Sequence, residues 1–151
     1  MTIALDINYH IFSIDQKVFL LGVIMKLKVE GKKCMGCRIC QMACCLEHFD
    51  YINPKKAAIF IKSKFPEPGE YVPIVCDQCG VCASVCPSEA IEKINGYYKI
   101  DKDKCSGCQI CVNECPSHAM YVHEDSIVPI KCDMCEECIE MCPTKVFSKV
   151  Q

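Results

Sequence analysis

Four groups of cysteines with one shared spacing are the residues of this chain best suited to do chemistry. In each group three cysteines stand at every third position, and a fourth follows four positions after the third. The groups, numbered motif one to motif four, are Cys34, Cys37, Cys40 and Cys44; Cys76, Cys79, Cys82 and Cys86; Cys105, Cys108, Cys111 and Cys115; and Cys132, Cys135, Cys138 and Cys142. Cysteine thiolates are soft ligands for iron–sulfur clusters and for zinc. The four groups therefore predict metal binding.

The spacing within the motifs favours 4Fe–4S clusters over zinc. Three thiolates at every third residue can wrap a tight loop around one cluster, whereas the fourth lies one helical turn later and points towards a second cluster. Proline follows Cys86, Cys115 and Cys142, as in bacterial ferredoxins, but does not follow Cys44. A structural zinc site needs only four ligands, usually from two separated C-x2-C pairs. We therefore predict four 4Fe–4S clusters, with zinc and disulfides as the alternatives.

The composition indicates a protein held together by metal in a reducing compartment. Of 151 residues, 17 are cysteine and none is tryptophan, so metal binding must supplement a thin apolar core. The N-terminal sequence lacks the pattern of a signal peptide, and we expect the protein in the cytoplasm. A formal net charge of -2, made more negative by bound clusters, disfavours nucleic acid as a partner. The longest apolar run, Val18 to Met25, is too short for membrane insertion.

Short strands, helices and hairpins are predicted to position the motifs, which corresponds to an α+β fold class. Residues 1–24 form an N-terminal extension of uncertain role, whose alternating apolar residues suit strands at 3–11 and 18–25. Residues 25–151 form the cluster-binding domain. Each motif should carry a short helix from its third to its fourth cysteine, and the helix of motif one should continue to His48 because no proline stops it.

Turn signals divide the rest of the chain. Asn95-Gly96 predicts a hairpin between strands at 90–94 and 97–100, because this dipeptide fits a two-residue hairpin turn. Further strands are predicted at 25–29 and 57–61, with a strand–turn–strand unit over 119–122 and 127–130. Val72-Pro73-Ile74-Val75 leads into motif two. The segment 46–71 is longer than its counterpart between motifs three and four, and it is a candidate partner-facing insertion.

An internal repeat relates motif one to motif three and motif two to motif four. For example, Val72-Pro73-Ile74 before motif two matches Val128-Pro129-Ile130 before motif four. The hairpin at 95–96 is the local connection expected inside a two-cluster unit, so motifs two and three should form an inner pair. The repeat then assigns motifs one and four to an outer pair. The alternative pairs motif one with two and three with four; it respects the repeat equally well but needs one shorter and one much longer bridge.

The nested pairing predicts four ligand sets, named sites A to D. Site A is Cys34, Cys37, Cys40 and Cys142; site B is Cys132, Cys135, Cys138 and Cys44; site C is Cys76, Cys79, Cys82 and Cys115; and site D is Cys105, Cys108, Cys111 and Cys86. Every iron then has a protein thiolate, and no open position is left for a substrate, which argues against catalysis by this chain.

Four other residues invite a chemical role. Cys45 is left over by the motifs and is expected to be a small buried side chain, with replacement of Cys44 or a redox role as the alternatives. His48, His118 and His123 are expected to be solvated or packing residues, because sulfur ligands already fill each site.

Residues 25–150 resemble the four-cluster iron–sulfur subunits that serve molybdenum and tungsten pterin oxidoreductases, formate dehydrogenases and hydrogenases, the group named after the DMSO reductase iron–sulfur subunit. The four motifs, Lys131-Cys132-Asp133 and the helix from Cys37 to His48 carry the resemblance. It implies a duplicated bacterial-ferredoxin-like fold, or polyferredoxin, and the nested pairing of motifs. Motif four is compact, and the long C-terminal extension or membrane tail of larger members is absent. Short members of this kind resemble the small subunit of tungsten-containing aldehyde oxidoreductases.

The resemblance implies a non-catalytic electron-transfer subunit, of a type expected in anaerobes. Such a subunit relays single electrons through four clusters between a tungsten or molybdenum pterin catalytic subunit and soluble ferredoxin or another acceptor. Two alternatives remain at this point. One is a free-standing polyferredoxin carrier without a fixed partner, and the other is the equivalent subunit of a hydrogenase or formate dehydrogenase complex.

Overall fold

Residues 24–67 and 69–150 are described by the structure, a computed structural model. They form four α-helices and six β-strands joined by long loops. The helices are α1 (Ile39–His48), α2 (Val81–Ser84), α3 (Ile110–Asn113) and α4 (Glu137–Met141). The strands are β1 (Lys26–Val29), β2 (Phe60–Ser63), β3 (Tyr71–Ile74), β4 (Ile91–Ile94), β5 (Tyr97–Ile100) and β6 (Phe147–Val150). Short helices and small sheets confirm the α+β class, whereas the strands predicted at 3–11 and over most of 18–25 lie outside the described residues.

The length of each motif helix depends on whether a proline follows the fourth cysteine of the motif. In motifs two, three and four a proline follows the fourth cysteine and excludes another helical turn, so α2, α3 and α4 have only four or five residues. Motif one has Cys45 at this position, and α1 runs for ten residues to His48, as predicted. Within the described ranges, no helix combines the length and the apolar character needed to cross a bilayer.

Three two-stranded antiparallel sheets hold the segments that flank the motifs. β4 and β5 form the hairpin predicted around Asn95-Gly96 and join motif two to motif three. β1, which precedes motif one, pairs with β6, which follows motif four, so that Val29 lies opposite Phe147. β2 and β3 pair within the segment between motifs one and two. The β1–β6 sheet, which no local sequence signal predicts, therefore brings motifs one and four together.

Buried apolar side chains form two clusters, one beside each of these motif pairs. The first cluster surrounds the cysteines of motifs one and four and includes Leu27, Ile59, Val146 and Phe147. The second consists of cysteines of motifs two and three with Ile91 and Met120. Each pair of motifs therefore has apolar packing of its own, and the cysteines themselves form a large part of it.

The strand predicted at 57–61 is displaced towards β2. Ala57, Ala58 and Ile59 are at most 3% exposed and pack in the first apolar cluster, so pairing begins only at Phe60. The inner part of the 46–71 segment is thus core, not a partner-facing surface, and its exposed tip carries Phe65, which is 93% exposed.

The strand–turn–strand unit predicted over 119–122 and 127–130 is reduced to one bridge between Tyr121 and Ile130. Tyr121 packs instead against β2: its ring lies edge-on to that of Phe60, with 4.5 Å between centroids. Its hydroxyl donates a hydrogen bond to the carbonyl oxygen of Ala57 at 2.5 Å. Packing against the insertion thus replaces the expected ladder.

Candidate metal centres

All four motif loops share one backbone conformation, with left-handed residues two and four positions after the first cysteine. The pairs are Gly36 and Arg38, Gln78 and Gly80, Gly107 and Gln109, and Met134 and Glu136, with φ between 57° and 84°. The two left-handed residues turn the chain tightly, so that each loop curls around the space lined by its cysteines. Because five of the eight residues are not glycine, composition alone did not reveal this conformation.

Neighbouring tyrosines explain why two of these positions hold glycine. A Cβ atom at Gly80 would lie 2.5 Å from the hydroxyl oxygen of Tyr98, and one at Gly36 would lie 2.5 Å from the ring of Tyr71. These tyrosines belong to β5 and β3. Strands β3 and β5 therefore pack directly against the loops of motifs one and two. This packing fixes the position of the cysteines in those loops.

The cysteines predicted for sites A, B and C line three separate small cavities. The site A cavity contains Cys34, Cys37, Cys40 and Cys142; the site B cavity contains Cys44, Cys132, Cys135 and Cys138; and the site C cavity contains Cys76, Cys79, Cys82 and Cys115. At site D, burial raises the pKa of Cys111, and the neighbouring thiols of Cys108, Cys86 and Cys105 raise it further. In these three cavities the fourth cysteine of one motif lies beside the first three of another. At site D, Cys86 packs against the apolar cluster that contains Cys111.

The burial of these thiols fits iron–sulfur groups. Burial raises the pKa of Cys40 and Cys132 to about 12 and that of Cys82 to about 11, because the thiolate form loses its hydration. Such thiols ionise only when a positive charge compensates them, and bound iron supplies this charge. Four thiols that line one small cavity, as at sites A, B and C, are the donor set that a 4Fe–4S cluster needs.

Backbone N–H groups donate to the sulfur of the fourth cysteine in three motifs. The donors are Ala58 to Cys44 at 3.3 Å, Ala90 to Cys86 at 3.4 Å, and Val146 to Cys142 at 3.3 Å. Hydrogen bonds to ligating sulfur stabilise the thiolate and tune the potential of the cluster. The donor to Cys44 comes from the buried part of the insertion, which gives that segment a place in site B.

Hydroxyl groups also face the fourth cysteine in the three motifs that contain proline. Ser88, Ser117 and Thr144 lie two residues after Cys86, Cys115 and Cys142, with oxygen–sulfur distances of 3.5 to 3.7 Å. The signal Cys-Pro-Ser or Cys-Pro-Thr is visible in the sequence, but its contact with sulfur was not predicted. Motif one has Leu46 at this position, so no hydroxyl group occupies the equivalent place beside Cys44.

The leftover cysteine and the histidines have distinct places. Cys45 is completely buried, and its thiol donates to the carbonyl oxygen of Asn53 at 2.8 Å, outside the site B cavity. His118 is exposed and His123 is buried. His48 is exposed, as expected, but it also lines the site B cavity, which was not predicted. Its Nε2 lies 3.3 Å from Asp133 Oδ1, and hydrogen bonds to Asp133, Cys135 and Cys44 raise its pKa.

Packing contacts link the four predicted sites in a row in the order A, B, C, D. Cys40 of site A and Cys138 of site B are buried in the first apolar cluster. Gln78, in the loop that carries site C, donates to the carbonyl oxygen of Cys132 of site B at 3.0 Å. Cys82 of site C and Cys111 of site D are buried in the second apolar cluster. Among the described residues, sites A and D are therefore the ends of the row, and sites B and C meet at its centre.

Family models for iron–sulfur domains match three parts of the chain. The 4Fe-4S dicluster domain matches residues 97–143, and 4Fe-4S binding domains match residues 71–92 and 32–51. All four motifs lie within these matches.

Curated relatives have names of electron-transfer proteins. The "Aliphatic sulfonate oxidoreductase, polyferredoxin-like subunit" of Pyrococcus furiosus is 35% identical over 81 residues, or 51% of this chain and 46% of that protein. "Electron transport protein HydN" of Escherichia coli is 31% identical over 84 residues, or 50% and 47%. "Thiosulfate reductase electron transfer subunit PhsB" of Salmonella typhi is 31% identical over 112 residues, or 68% and 57%. The chain thus spans about half the length of the curated relatives it matches.

Among solved structures, the chain is similar to a chain in the "Active site complex BamBC of Benzoyl Coenzyme A reductase in complex with Benzoyl-CoA". The two chains have a TM-score of 0.49 and 22% sequence identity, and the match covers 84% of this chain and 78% of that chain. The cysteine groups and the matched family models carry the assignment of the cofactor. Together they identify this chain as an iron–sulfur protein that binds multiple 4Fe–4S clusters.

Proposed function

We propose that this chain is an electron-transfer subunit that relays single electrons through four 4Fe–4S clusters, one at each of sites A to D. A 4Fe–4S cluster takes up and gives up one electron at a time. The observation that carries the proposal is the row of sites, because residues of neighbouring sites pack against one another along its whole length. The nested ligand sets and the two interleaved two-cluster units of residues 25–151 are part of this proposal.

The two ends of the row are suited to meet redox partners. At site A, Cys37 is exposed, and Met35, which lines the same cavity, is 58% exposed. Met141, which precedes the site A ligand Cys142 in sequence, is 52% exposed. At site D the exposed Cys108 lies near Ile127, which is 68% exposed. Exposed apolar side chains around an electron-transfer site favour docking of another protein. Site C also exposes Cys79, but its neighbours Asp77 and Gly80 offer no large apolar surface.

The partner at one end is, in this proposal, the tungsten or molybdenum pterin catalytic subunit of an aldehyde oxidoreductase type of enzyme. Soluble ferredoxin or another acceptor docks at the other end, in the reducing cytoplasm. Two relatives are named as subunits of an aliphatic sulfonate oxidoreductase and a thiosulfate reductase, which supports a place in an oxidoreductase complex. Because each site supplies four thiols, no iron needs a substrate as ligand, and catalysis falls to the partner.

Anaerobic purification from the native source tests the proposal. We expect about sixteen irons per chain and a large pterin-containing chain at fixed stoichiometry. Recovery of the fully loaded chain by itself would favour a free-standing polyferredoxin carrier. A preparation that contains only zinc would refute the cluster assignment.

A further inference from the structure

A buried polar network lies at the boundary between sites B and C. Gln78, in the loop of motif two, is completely buried. Its amide group donates to the carbonyl oxygen of Cys132 at 3.0 Å, and its side-chain oxygen accepts a hydrogen bond from the backbone N–H of Tyr98 at 3.0 Å. Lys131 Nζ donates to the same Gln78 oxygen at 2.7 Å. The network therefore joins motif two, strand β5 and motif four.

Lys131 has the surroundings of an ammonium ion. Besides Gln78 Oε1, its Nζ faces the carbonyl oxygens of Tyr98 at 2.7 Å and of Cys132 at 3.0 Å. Three acceptors match the three N–H bonds of a lysine ammonium, whereas a neutral amine has only two. The positive charge is therefore held at a defined place by three hydrogen bonds.

This ammonium faces site C. Lys131 lines the same cavity as the site C cysteines. The residue after Lys131 is Cys132 of site B, but the lining of the site B cavity contains Cys132 and not Lys131. One lysine thus stands between the two central sites and is directed towards site C.

The internal repeat shows that the motif loop does not require this charge. Val75 precedes Cys76 just as Lys131 precedes Cys132, and Val75 lines the cavity of site B as Lys131 lines that of site C. The two residues therefore occupy equivalent places on either side of the boundary. Since one place holds an apolar side chain and the other an ammonium, this position puts a positive charge against site C and an apolar side chain against site B.

We propose that Lys131, held in position by Gln78, raises the reduction potential of the cluster at site C, with a smaller rise at site B. Reduction adds one electron and no proton, so the cluster and its thiolates gain one negative charge. A fixed positive charge nearby stabilises that reduced state. The inference rests on the proposed function, since it takes the ligand sets of sites B and C from there.

Redox titration of the iron-loaded full chain, followed by electron paramagnetic resonance (EPR), tests the proposal. Lys131→Gln removes the charge and keeps a polar side chain. We expect the midpoint potential of site C to become more negative. The potential of site B should shift in the same direction by a smaller amount, and the potentials of sites A and D should not change. The signal of site C is identified as the one that Cys79→Ser alters. Lys93→Gln, which removes a charge from an exposed residue of β4, is the matched control and should shift none of the four.

Two further variants separate charge from structure. Lys131→Arg keeps the charge and should retain the wild-type potential of site C. Gln78→Glu adds an opposing charge beside Lys131 and should lower that potential. Unchanged potentials in Lys131→Gln, or the same change in Lys93→Gln, would overturn the proposal. It is also overturned if all three network variants fail to bind clusters, since the network is then only structural. Fewer than four clusters in the wild-type chain would instead contradict the proposed function.

Discussion

Two adjacent cysteines of α1 occupy opposite environments. Cys44 lines site B, and its sulfur accepts a hydrogen bond from the backbone N–H of Ala58. The thiol of Cys45 instead donates a hydrogen bond to the carbonyl oxygen of Asn53. Successive residues of an α-helix point about 100° apart, so one residue can face a cluster while the next packs in the core. Position on the helix, and not the type of side chain, therefore separates a candidate ligand from a packing residue.

Alanine substitution of each cysteine in turn tests this assignment. Cys44→Ala should lower the iron content from about sixteen to about twelve per chain, because site B loses one of its four thiolates. Cys45→Ala should retain all the iron and lower the free energy of unfolding by about 1 kcal/mol, for the lost thiol hydrogen bond. Iron analysis together with sulfide analysis measures both. Equal iron loss in the two variants would contradict the assignment.

The close contact at Gly80 should make this glycine irreplaceable. In Gly80→Ala, a left-handed alanine costs about 1–2 kcal/mol, and the clash with Tyr98 adds about 1–3 kcal/mol. We expect reduced occupancy of site C, visible in its EPR signal. Gly69→Ala is the matched control, because Gly69 has a similar φ of 83° but nothing within 4 Å of the added Cβ. It should show only the conformational cost and keep full occupancy.

At the scale of elements, the inner and outer pairs of motifs are held together by different kinds of contact. The inner pair of motifs is joined by the local β4–β5 hairpin, whereas the outer pair depends on β1 and β6, which lie far apart in sequence. Each has its own apolar cluster. Bringing the thiols of the outer pair together therefore costs more loop-closure entropy than it does for the inner pair.

Core truncations should separate the two pairs. Phe147, on β6, is 3% exposed in the outer cluster, and Phe147→Ala should cost about 3–5 kcal/mol. We expect sites A and B to lose iron first on mild heating, while sites C and D persist. Ile91→Ala, in the inner cluster, is the counterpart, with a cost of about 2–5 kcal/mol, and should reverse the order. Simultaneous loss of all four clusters in both variants would contradict independent packing.

Much of this arrangement could be predicted from local sequence signals. Asn95-Gly96 predicted the β4–β5 hairpin, and the prolines after the fourth cysteines predicted where the helices end. The cofactor followed from thiol spacing alone. These features depend on interactions between residues close in sequence, which a single chain displays directly.

Long-range contacts could not be predicted in the same way. The β1–β6 sheet and the contact of Gln78 with Cys132 join residues that no local pattern relates. Tyr121 packs against Phe60 of the insertion, where a strand ladder was expected. His48 was placed in solvent or core by elimination, yet the length of α1 carries it to Asp133 beside site B.

For the molecule as a whole, we propose that the two ends of the row meet different partners. Ile127 at the site D end is 68% exposed, and Ile127→Gln should slow electron transfer with the partner that docks there by about tenfold, equal to about 1.4 kcal/mol. All midpoint potentials should stay unchanged, since the substitution adds no charge and removes no ligand. Phe65→Gln, at the exposed tip between β2 and β3, is the control and should leave the rate as it is. Stopped-flow kinetics with the native partner measures the effect.

The second cysteine of each motif loop differs in exposure from site to site, and this difference predicts the order in which the clusters are lost in air. Cys37, Cys79 and Cys108 are exposed, whereas Cys135 of site B is partly covered. Oxygen and peroxide attack sulfur that solvent reaches, so damage should begin at sites A, C and D and reach site B last. Timed exposure to air, with iron counting and EPR at intervals, should leave the site B signal as the final survivor. An early loss of that signal would mean that oxidants enter the molecule by another route.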